Sequence, residues 1–260
     1  MKQNNPLVSV ITPAYNAERF LAGTIESVQQ QTYTNWEMVI VDDQSTDRTW
    51  EIAKTYADQD SRIRMYRLEK NSGAAVARNT AMKHAKGRYI AFLDSDDQWF
   101  PEKLEKQLRF MQEKDIAFSF TKYIRMDEDG TLRDNVSKAP ESVGYTDLMK
   151  HCVIGCLTVM IDREKTGDME MVNIRTRQDY AYWLALTKKG FRAYGLPEVL
   201  AKYRIVGNSI SRNKLKAAQR QWYVYRQIEK ENLLRSMYYF LHYAFRGVKN
   251  SLSYRLAKKK

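Results

Sequence analysis

The sequence contains few of the features of a secreted, disulfide-stabilised or membrane-spanning protein. Its 260 residues include two cysteines, Cys152 and Cys156, too few for a disulfide scaffold or a cysteine-based metal site. The N-terminal run MKQNNPLVSVITPAYN is only briefly apolar and is interrupted by Pro13, unlike a secretion signal. No segment of about 18 apolar residues is free of charges, which argues against a membrane-spanning helix. We therefore expect a cytoplasmic protein, either soluble or bound to a membrane surface.

Acidic residues are almost absent from the last fifth of the chain, and this absence explains the net charge of +12. Residues 212–260 carry 13 lysines and arginines but only two acids, Glu229 and Glu231, whereas the first 211 residues hold 30 basic and 29 acidic residues. The charge therefore belongs to a basic tail on a nearly neutral body. Such a tail can bind nucleic acid or an anionic membrane, and composition alone leaves both open.

The first half of the sequence alternates apolar, β-branched segments with segments of helical periodicity. This alternation predicts βαβ units, and continuous apolar strands such as YIAFL suit a parallel sheet buried on both faces. Right-handed crossovers then give an open, twisted, Rossmann-like α/β sheet flanked by helices. The predicted strands are LVSVIT, WEMVIVDD, RIRMYRLE and RYIAFLD, and the predicted helices are RFLAGTIESVQQQ, STDRTWEIAKTYA, AAVARNTAMKHA, which Gly87 closes, and PEKLEKQLRFMQEK.

The pattern changes after Asp115. The strand-like segments IAFSFTKYIRMD and GCLTVMIDRE and the helix-like RTRQDYAYWLALTKKG follow, and we expect these strands to join the same sheet. We therefore predict one domain over residues 1–211, with halves of about 1–115 and 116–211. Residues 212–260 form a helical, basic, amphipathic tail.

Three acidic side chains follow the fourth predicted strand, in FLDSDDQW. Ligands of an open parallel sheet bind at the carboxyl ends of its strands, so Asp94, Asp96 and Asp97 are the first candidates for a binding site. Carboxylates packed this closely repel each other. A hard divalent cation such as Mg²⁺ or Mn²⁺ would relieve the repulsion and would also bind phosphate oxygens. The alternative is that Ser95 or Asp96 caps the helix that starts near Pro101.

Polar and aromatic residues also follow the first and second strands. Asp43 can accept a hydrogen bond from a base N–H, and Tyr15 can stack on a base, although such a ring more often packs on protein. Asp47 can simply cap the next helix. Arg78, near the start of the third helix, suits diphosphate oxygens, and a salt bridge to a neighbouring acid is the alternative.

Four motifs in this order resemble the family-two glycosyltransferases of GT-A fold. They are VSVITPAYN, QTYTNWEMVIVDDQSTDRT, NSGAAVARNTAMKHAKGRYIAFLDSDD and the QD of RTRQDYAYW, and they span roughly the first 190 residues. Within that family the chain is similar to the small bacterial enzymes of cell-surface polysaccharide synthesis, such as teichuronic acid assembly. The resemblance implies inverting transfer of a sugar from a nucleotide-diphosphate donor, usually a UDP-sugar, to an acceptor hydroxyl. It assigns the nucleotide to the first half of the domain and the acceptor to the second.

The resemblance also implies how the donor is held. Asp94 and Asp96 match the DxD motif that binds Mn²⁺ or Mg²⁺, and Asp97 lies in the segment that contacts ribose or metal in relatives. The other residues implied to contact the donor are Pro13, Tyr15 and Asp43, at the nucleoside, and Arg78, at the diphosphate.

The resemblance assigns proton removal to Asp179. An inverting transfer needs one base, opposite the leaving group, to take the proton of the acceptor hydroxyl. Gln178 stands where the family usually has glutamate, so a second negative charge is missing here. Taken without the resemblance, Asp179 reads as a helix cap or as a surface partner of Arg175 or Arg177. The segments around Gly155 and YRIVGNSIS also resemble family landmarks, and we assign them no catalytic role.

The tail combines helical periodicity with interleaved lysine and arginine. This pattern predicts a helix lying in the interface of an anionic membrane, where a lipid-linked acceptor would be found, at the inner face of the cell membrane. The alternative is a helix packed on the domain or on another subunit. The apolar series is Leu233, Met237, Leu241, Ala244, Val248 and Leu252, the aromatic residues expected at lipid headgroups are Tyr238, Tyr239, Tyr243 and Phe245, and the terminal lysines are Lys258, Lys259 and Lys260.

Three other functions compete with this interpretation. A nucleotidyltransferase that forms sugar nucleotides would carry a glycine-rich, basic loop after the first strand, where this chain has TPAYNAERF. A nucleic-acid-binding protein would use the basic tail, but acidic strand ends suit it poorly. An inactive relative that only binds sugar nucleotides is the third alternative. The sequence does not predict the donor sugar, the acceptor or the oligomeric state.

Overall fold

The first half of the chain alternates strands and helices as predicted. The computed structural model describes residues 5–207 and 214–257. The strands of this half are β1 (Val8–Ala14), β2 (Trp36–Asp42), β3 (Ile63–Arg67) and β4 (Tyr89–Phe92), and the helices are α1 (Leu21–Gln29), α2 (Thr49–Gln59), α3 (Ala74–His84) and α4 (Lys103–Glu113).

The second half adds shorter strands and the helices of the C-terminal region. The strands are β5 (Gln98–Trp99), just before α4, β6 (Phe118–Met126), β7 (Leu132–Val136), β8 (Ser142–Val143), β9 (Met160–Asp162) and β10 (Ala193–Arg204). The helices are α5 (Tyr145–Lys150), α6 (Arg163–Thr166), α7 (Gln178–Lys188), α8 (Lys214–Tyr223) and α9 (Leu233–Ala257), with a π-helical segment, Val224–Ile228, after α8.

All these strands belong to one sheet. Its order is β3-β2-β1-β4-β9-β6-β10-β5, with β7 beside β6 and β8 beside β10. The four strands of the first half are parallel neighbours, and β6 is parallel to β10. β9 runs antiparallel to both β4 and β6 and so joins the two halves. The prediction that the later strands extend the first sheet is confirmed.

The hydrophobic pattern does not predict β10. This strand pairs with β6 over most of its length, but two register shifts interrupt the pairing between Leu196 and Ala201. Pro197 lies at the first of these shifts, where no ladder hydrogen bond is required of it. The shifts break the two-residue alternation of buried side chains, so the segment lacks the usual signature of a strand.

The central strands form the base of two cores, one on each face of the sheet. All seven residues of β1 and all seven of β2 are buried. Successive side chains point to opposite faces, so Ile11 and Val39 pack in one cluster while Val10 and Met38 pack in the other. Each such side chain contributes about 2 kcal/mol when it is fully buried.

Gly87 has a different role from the helix cap that the sequence predicts. Helix α3 ends at His84, and the next residue, Ala85, is already extended. A Cβ atom at Gly87 would lie 2.6 Å from the hydroxyl oxygen of Ser9 and 2.7 Å from the carbonyl oxygen of Leu7, which is too close. The Gly87 N–H donates to that same hydroxyl at 2.8 Å. Glycine is needed here because the chain passes directly against β1 on its way into β4.

The first part of the predicted tail packs into the body of the protein. Val224 and Tyr225 are buried and belong to the core cluster that contains α5 and α7. The Tyr225 hydroxyl donates to the carbonyl oxygen of Met149 at 2.7 Å. The Gln221 amide donates to the hydroxyl of Tyr180, in α7, at 3.2 Å. The hydrophobic core therefore continues past the predicted boundary at residue 211.

Helix α9 has one packed face and one exposed face. Ser236 is buried, the ring of Tyr239 contacts that of Tyr225, and Tyr243 accepts a hydrogen bond from Arg177. Tyr239 and Tyr243, which the sequence predicts at lipid headgroups, thus face the body instead. The other face carries large apolar side chains that are between 49% and 80% exposed, and we call this set the exposed stripe: Leu233, Leu234, Met237, Tyr238, Leu241 and Phe245.

Part of the tail prediction lies outside what the structure describes, namely the side chains of Val248 and Leu252, Arg212 and the three terminal lysines. Within residues 5–207 and 214–257, no helix combines the length and the apolar character that crossing a membrane requires. The 25 residues of α9 include the exposed stripe, yet they are too polar on average for a span.

The packing of the tail can be tested with two tyrosines of the same segment. Replacing Tyr225 by alanine should lower the free energy of unfolding by about 3 kcal/mol, because it leaves a cavity and an unpaired carbonyl group at Met149. Tyr223 is half exposed, so Tyr223→Ala should change it by less than about 0.5 kcal/mol. Urea-induced unfolding measures both. Equal losses in the two variants would contradict the packing.

Candidate active site

The predicted site residues lie at one edge of the sheet, where the parallel strands β1, β2 and β4 end. The Asp43 N–H donates to the carbonyl oxygen of Ala14 at 2.8 Å, and the Leu93 N–H donates to that of Ile11 at 3.0 Å. These bonds hold the residues after β2 and β4 beside the end of β1. Tyr15, Asp43 and Asp94 therefore emerge at the same edge, as the topology of an open parallel sheet requires.

Pro13 lies inside β1, where it is buried and stands opposite Val41 of β2. Its backbone points the same way as that of Ile11, toward β4. The pairing of β1 with β4 ends at Ile11 and Phe92, so no partner strand needs an N–H from Pro13. Tyr15, two residues later, has left the sheet, and half of its side-chain surface is exposed.

Asp43 anchors the start of helix α3, a role that the sequence does not predict. Its side chain is buried, and its two oxygens accept the backbone N–H groups of Ser72 at 2.6 Å and Gly73 at 2.8 Å. Gly73 has a φ of +92°, a conformation that favours glycine and that presents this N–H to the carboxylate. The carboxylate thus fixes the loop before α3, the helix that carries Arg78.

The other polar residues after β2 have structural roles. One oxygen of Asp47 accepts the N–H of Thr49, the first residue of α2, at 3.0 Å, but the N-cap residue is Arg48 and the helix has no side-chain cap, so Asp47 does not take the predicted capping position. Asp42 is buried, and one of its oxygens lies 3.0 Å from Nε of Arg67 on β3. The Ser45 hydroxyl donates to the other oxygen of Asp42. These contacts shape the loop around Asp43.

Arg78 is buried and forms an ion pair with Asp94, whose side chain is partly exposed. One terminal nitrogen of the guanidinium donates to the Asp94 carboxylate. The other two nitrogens, Nε and Nη1, are buried and have no hydrogen-bond partner among the residues that the structure describes. Burial alone would lower the pKa of Arg78, but the negative charges of Asp94 and Asp179 outweigh it and raise this pKa. The salt bridge is therefore present, and two further donors remain for an anion.

Asp96 and Asp97 differ in their surroundings. Burial, reinforced by the charge of Asp94, raises the pKa of Asp96 to about 6. Asp97 is fully buried, accepts the backbone N–H of Arg204 at 2.8 Å, and has a pKa raised by burial and by the other two carboxylates. Neither Ser95 nor Asp96 caps the next helix, because α4 begins after Glu102 without a side-chain cap.

The loop after β4 carries Asp94, Asp96 and Asp97, and we call it the acidic loop. It suits a divalent cation only in part. Within the described ranges, no three histidine, cysteine, aspartate or glutamate side chains gather in a way that would hold a metal ion. Asp94 and Asp96 supply two carboxylates that repel each other, while Asp97 bonds to β10. Mg²⁺ and similar ions are commonly bound by one or two carboxylates together with phosphate oxygens of a substrate. The residues present therefore fit a cation that arrives with a phosphate ligand.

Asp179 lies in the first turn of α7 and is half-buried. The helix begins after Arg177 without a side-chain cap, and the structure contains no salt bridge between Asp179 and Arg175 or Arg177, all of which it describes. Both structural alternatives are thus absent. Its charge acts instead on Arg78, so the tertiary fold brings Asp179 to this ion pair, although about 100 residues separate them in sequence.

Two neighbours of Asp179 are not charged. Gln178 is buried, and within the described part of the chain its side-chain oxygen has no hydrogen-bond partner. Burial, with a further contribution from Asp179, raises the pKa of the Cys152 thiol to about 12. A thiol in this state is not a nucleophile at neutral pH.

Arg204 is a site residue that the sequence does not single out. Its Nε donates to the carbonyl oxygen of Asp96 at 2.8 Å, and its Nη1 donates to those of Asp127 and Glu128, in the turn between β6 and β7. Arg204 therefore ties the acidic loop to that turn. The only signal for it is its place in the landmark segment YRIVGNSIS, of which residues 208–211 lie outside the described ranges.

Comparison with known proteins identifies the family that the sequence motifs resemble. A family model described as glycosyl transferase family 2 matches residues 9–166. TuaG of Bacillus subtilis, named for teichuronic acid biosynthesis, is 57% identical over 247 residues, which cover 95% of this chain and 98% of TuaG. WfgD of Escherichia coli is 41% identical over 255 residues, covering 97% of this chain and 98% of WfgD. It is named a UDP-Glc:α-D-GlcNAc-diphosphoundecaprenol β-1,3-glucosyltransferase.

Solved structures share the fold at low sequence identity. TarS 1–349 of S. aureus, in complex with UDP, has a TM-score of 0.63 and 24% identity, and the match covers 76% of this chain and 60% of that one. The mannosyltransferase PcManGT of Pyrobaculum calidifontis, in complex with GDP-Man and Mn²⁺, has a TM-score of 0.66 and 18% identity, with 92% of this chain and 70% of that one covered. These likenesses confirm the predicted sheet flanked by helices.

Proposed function

Because this chain belongs to glycosyltransferase family 2 and has its GT-A fold, we propose that it transfers a sugar from a UDP-sugar to a hydroxyl group of a lipid-linked saccharide, with inversion. The observation that carries the proposal is the buried guanidinium of Arg78, with its two unbonded nitrogens, close to both the acidic loop and Asp179. A diphosphate donor, its cation and a base for the acceptor are the partners that such an arrangement suits.

The nucleoside of the donor would lie over the ends of β1 and β2. Tyr15 is exposed enough to stack on the base, and Pro13 lies two residues before it, near the end of β1. Asp43 already accepts two backbone N–H groups, yet each carboxylate oxygen can accept a second hydrogen bond, so a base N–H remains a suitable partner.

The diphosphate of the donor would lie between Arg78 and the acidic loop. Nε and Nη1 of Arg78 are the donors for its oxygens, and Asp94 and Asp96 are the proposed ligands of Mn²⁺ or Mg²⁺. When bound, the cation neutralises the charge that grows on the leaving diphosphate. Asp97 supports this site because it accepts the backbone N–H of Arg204 and so holds the acidic loop against β10.

Asp179 is the proposed general base. It has no cap or salt-bridge function in the described structure, and it is close enough to Arg78 for the two charges to interact. An acceptor hydroxyl between Asp179 and the donor sugar would give up its proton to this carboxylate as it attacks the anomeric carbon. One base is sufficient for this step, so the neutral Gln178 does not contradict it.

The names of the relatives support a role in bacterial cell-surface polysaccharide synthesis at a lipid-linked acceptor. Such an acceptor lies in a membrane, and the exposed stripe of α9 fits that surface. Its six apolar side chains lie on a helix that carries Arg246 and no acid. We propose that the stripe enters the headgroup region at the inner face of the cell membrane while Arg246 and the basic residues that follow it in the sequence attract anionic lipid.

Donor binding tests the proposed pocket. We expect calorimetry to show that UDP binds more tightly than GDP or CDP and that Mn²⁺ strengthens the binding of UDP. Asp96→Ala should abolish the effect of Mn²⁺, because only one carboxylate ligand would remain. Asp58→Ala, an exposed carboxylate on α2, is the matched control and should bind like the wild type. Tight, Mn²⁺-enhanced binding by the Asp96 variant would contradict the metal site.

Turnover tests the base and separates an enzyme from an inactive relative. Asp179→Asn should lower kcat by a factor of about 100 or more and leave nucleotide affinity unchanged, because a positioned base contributes 10²–10⁴-fold. Asp168, whose side chain is 87% exposed, supplies the control Asp168→Asn, which should keep full activity. Sugar transfer and donor hydrolysis are both measured. Near-normal turnover without the Asp179 carboxylate would remove it from the mechanism.

Vesicle flotation tests the exposed stripe. The wild type should float with vesicles containing phosphatidylglycerol at low salt, and the double variant Leu241→Ser, Phe245→Ser should stay in the unbound fraction, because both side chains are more than 65% exposed and apolar. Leu132→Ser with Val136→Ser removes two exposed apolar residues of β7 and serves as control. Recovery of the wild type away from the vesicles would rule out this use of α9.

A further inference from the structure

Four basic side chains gather where α5, α7 and α9 meet, and we call them the basic cluster: Lys150, His151, Arg177 and Arg246. Arg177 donates from Nη2 to the Tyr243 hydroxyl at 3.3 Å, and its guanidinium lies 5.6 Å from the centre of that ring. The Lys150 ammonium lies 5.8 Å from the centre of the Tyr238 ring. Side chains at the end of α5 and at the start of α7 therefore both contact α9.

His151 is the histidine of the basic cluster. It directly follows Lys150 at the end of α5 and is only partly exposed. Burial lowers its pKa, and the positive charges of Arg246 and Arg177 lower it further. Arg246 lies three residues after Tyr243 on α9, one helical turn further along, and so is on the face that Arg177 contacts. His151 remains largely neutral at pH 7, with a ring N–H available as a donor.

The basic cluster has no acidic partner. Other cations of this region are paired: Lys188 with Glu229 at 3.1 Å, and Arg235 with Glu231 at 3.7 Å. Across residues 5–207 and 214–257, no carboxylate forms a salt bridge with Lys150, Arg177 or Arg246. Concentrated positive charge without a counterion favours binding of an anion from outside the chain.

The basic cluster borders the proposed base. Arg177 stands two residues before Asp179, and its left-handed backbone, with φ of +63° and ψ of +20°, immediately precedes α7. The Cys152 thiol is close to both side chains, because the charges of Asp179 and Arg177 both act on it. Asp179 is therefore close to Arg78, and Arg177 lies two residues before it in the chain.

We propose that the basic cluster binds the diphosphate that links the acceptor sugar to its lipid, an inference that rests on the proposed function. Arg78 and the acidic loop serve the diphosphate of the donor, so a second diphosphate requires a second set of cations. A sugar held by this set would present a hydroxyl to the adjacent Asp179. The lipid would continue past Lys150 to Tyr238, which belongs to the exposed stripe.

The test compares acceptors that differ only in their phosphates. Three soluble acceptors carry the same N-acetylglucosamine on a short alkyl chain, through a diphosphate, a monophosphate or no phosphate. Transfer is measured without membranes in the wild type and in Arg177→Gln, Arg246→Gln and Arg235→Gln. Arg235 is the matched control, because it lies on α9 and loses the same charge but is paired with Glu231.

We expect the wild type to prefer the diphosphate acceptor. Arg246→Gln should raise the KM of the diphosphate acceptor about tenfold and leave kcat and the KM of the donor unchanged. Use of the phosphate-free acceptor should also be unchanged. Arg246→Lys should recover part of the affinity, and Arg235→Gln should behave as the wild type. A wild type without preference among the three acceptors, or equal losses in Arg246→Gln and Arg235→Gln, would overturn the proposal.

A second experiment measures binding instead of transfer, so that it remains informative when the acceptor sugar is not N-acetylglucosamine. Calorimetry with decyl diphosphate is carried out on protein saturated with UDP and Mn²⁺, so that the donor site is filled. Binding that is lost in Arg177→Gln and Arg246→Gln supports the proposal. Binding that these variants retain, together with weaker flotation on phosphatidylglycerol vesicles, would show that the cluster contacts membrane headgroups instead. Donor hydrolysis by the wild type checks the proposed function separately from either result.

Discussion

The burial of one guanidinium group organises the candidate active site. Arg78 is carried by α3, whose start is fixed by Asp43, and its charge is held by Asp94 at the end of β4. A buried cation needs more than one partner, and here a single carboxylate contacts it while two of its nitrogens remain unbonded. The remaining nitrogens suit an anion, which is the place proposed for the diphosphate of the donor. The geometry of the site and the proposed nucleotide binding thus depend on the same charge.

Three carboxylates that look equivalent in the sequence have different positions in this site. Asp94 pairs with Arg78, Asp96 is a carboxylate whose charge burial disfavours, and Asp97 bonds to the backbone of β10. The difference arises because β10 and Arg204 approach the loop from one side and α3 from the other. Segments about 110 residues apart therefore decide which carboxylates face a ligand and which supports the loop.

The two faces of helix α9 have different surroundings. One face packs on Tyr225 and contacts Arg177, two residues before the proposed base, while the other exposes the apolar stripe. In the proposed function the exposed stripe lies at the membrane, and the same helix is attached through Arg177 to the start of α7, which carries Asp179. A lipid-linked acceptor would then reach Asp179 from the side of the stripe.

The sequence by itself determined the βαβ half, because long apolar strands and regular helix periods are local signals, and the motifs at the strand ends identified the family and the candidate residues. Only the tertiary structure brought Asp179 to Arg78, turned Asp97 inward and assigned Gly87 to a close contact with β1. It also revealed β10, whose register shifts hide its period, and the packing of Tyr225. These features depend on contacts between distant segments, and local composition and periodicity carry no record of such contacts.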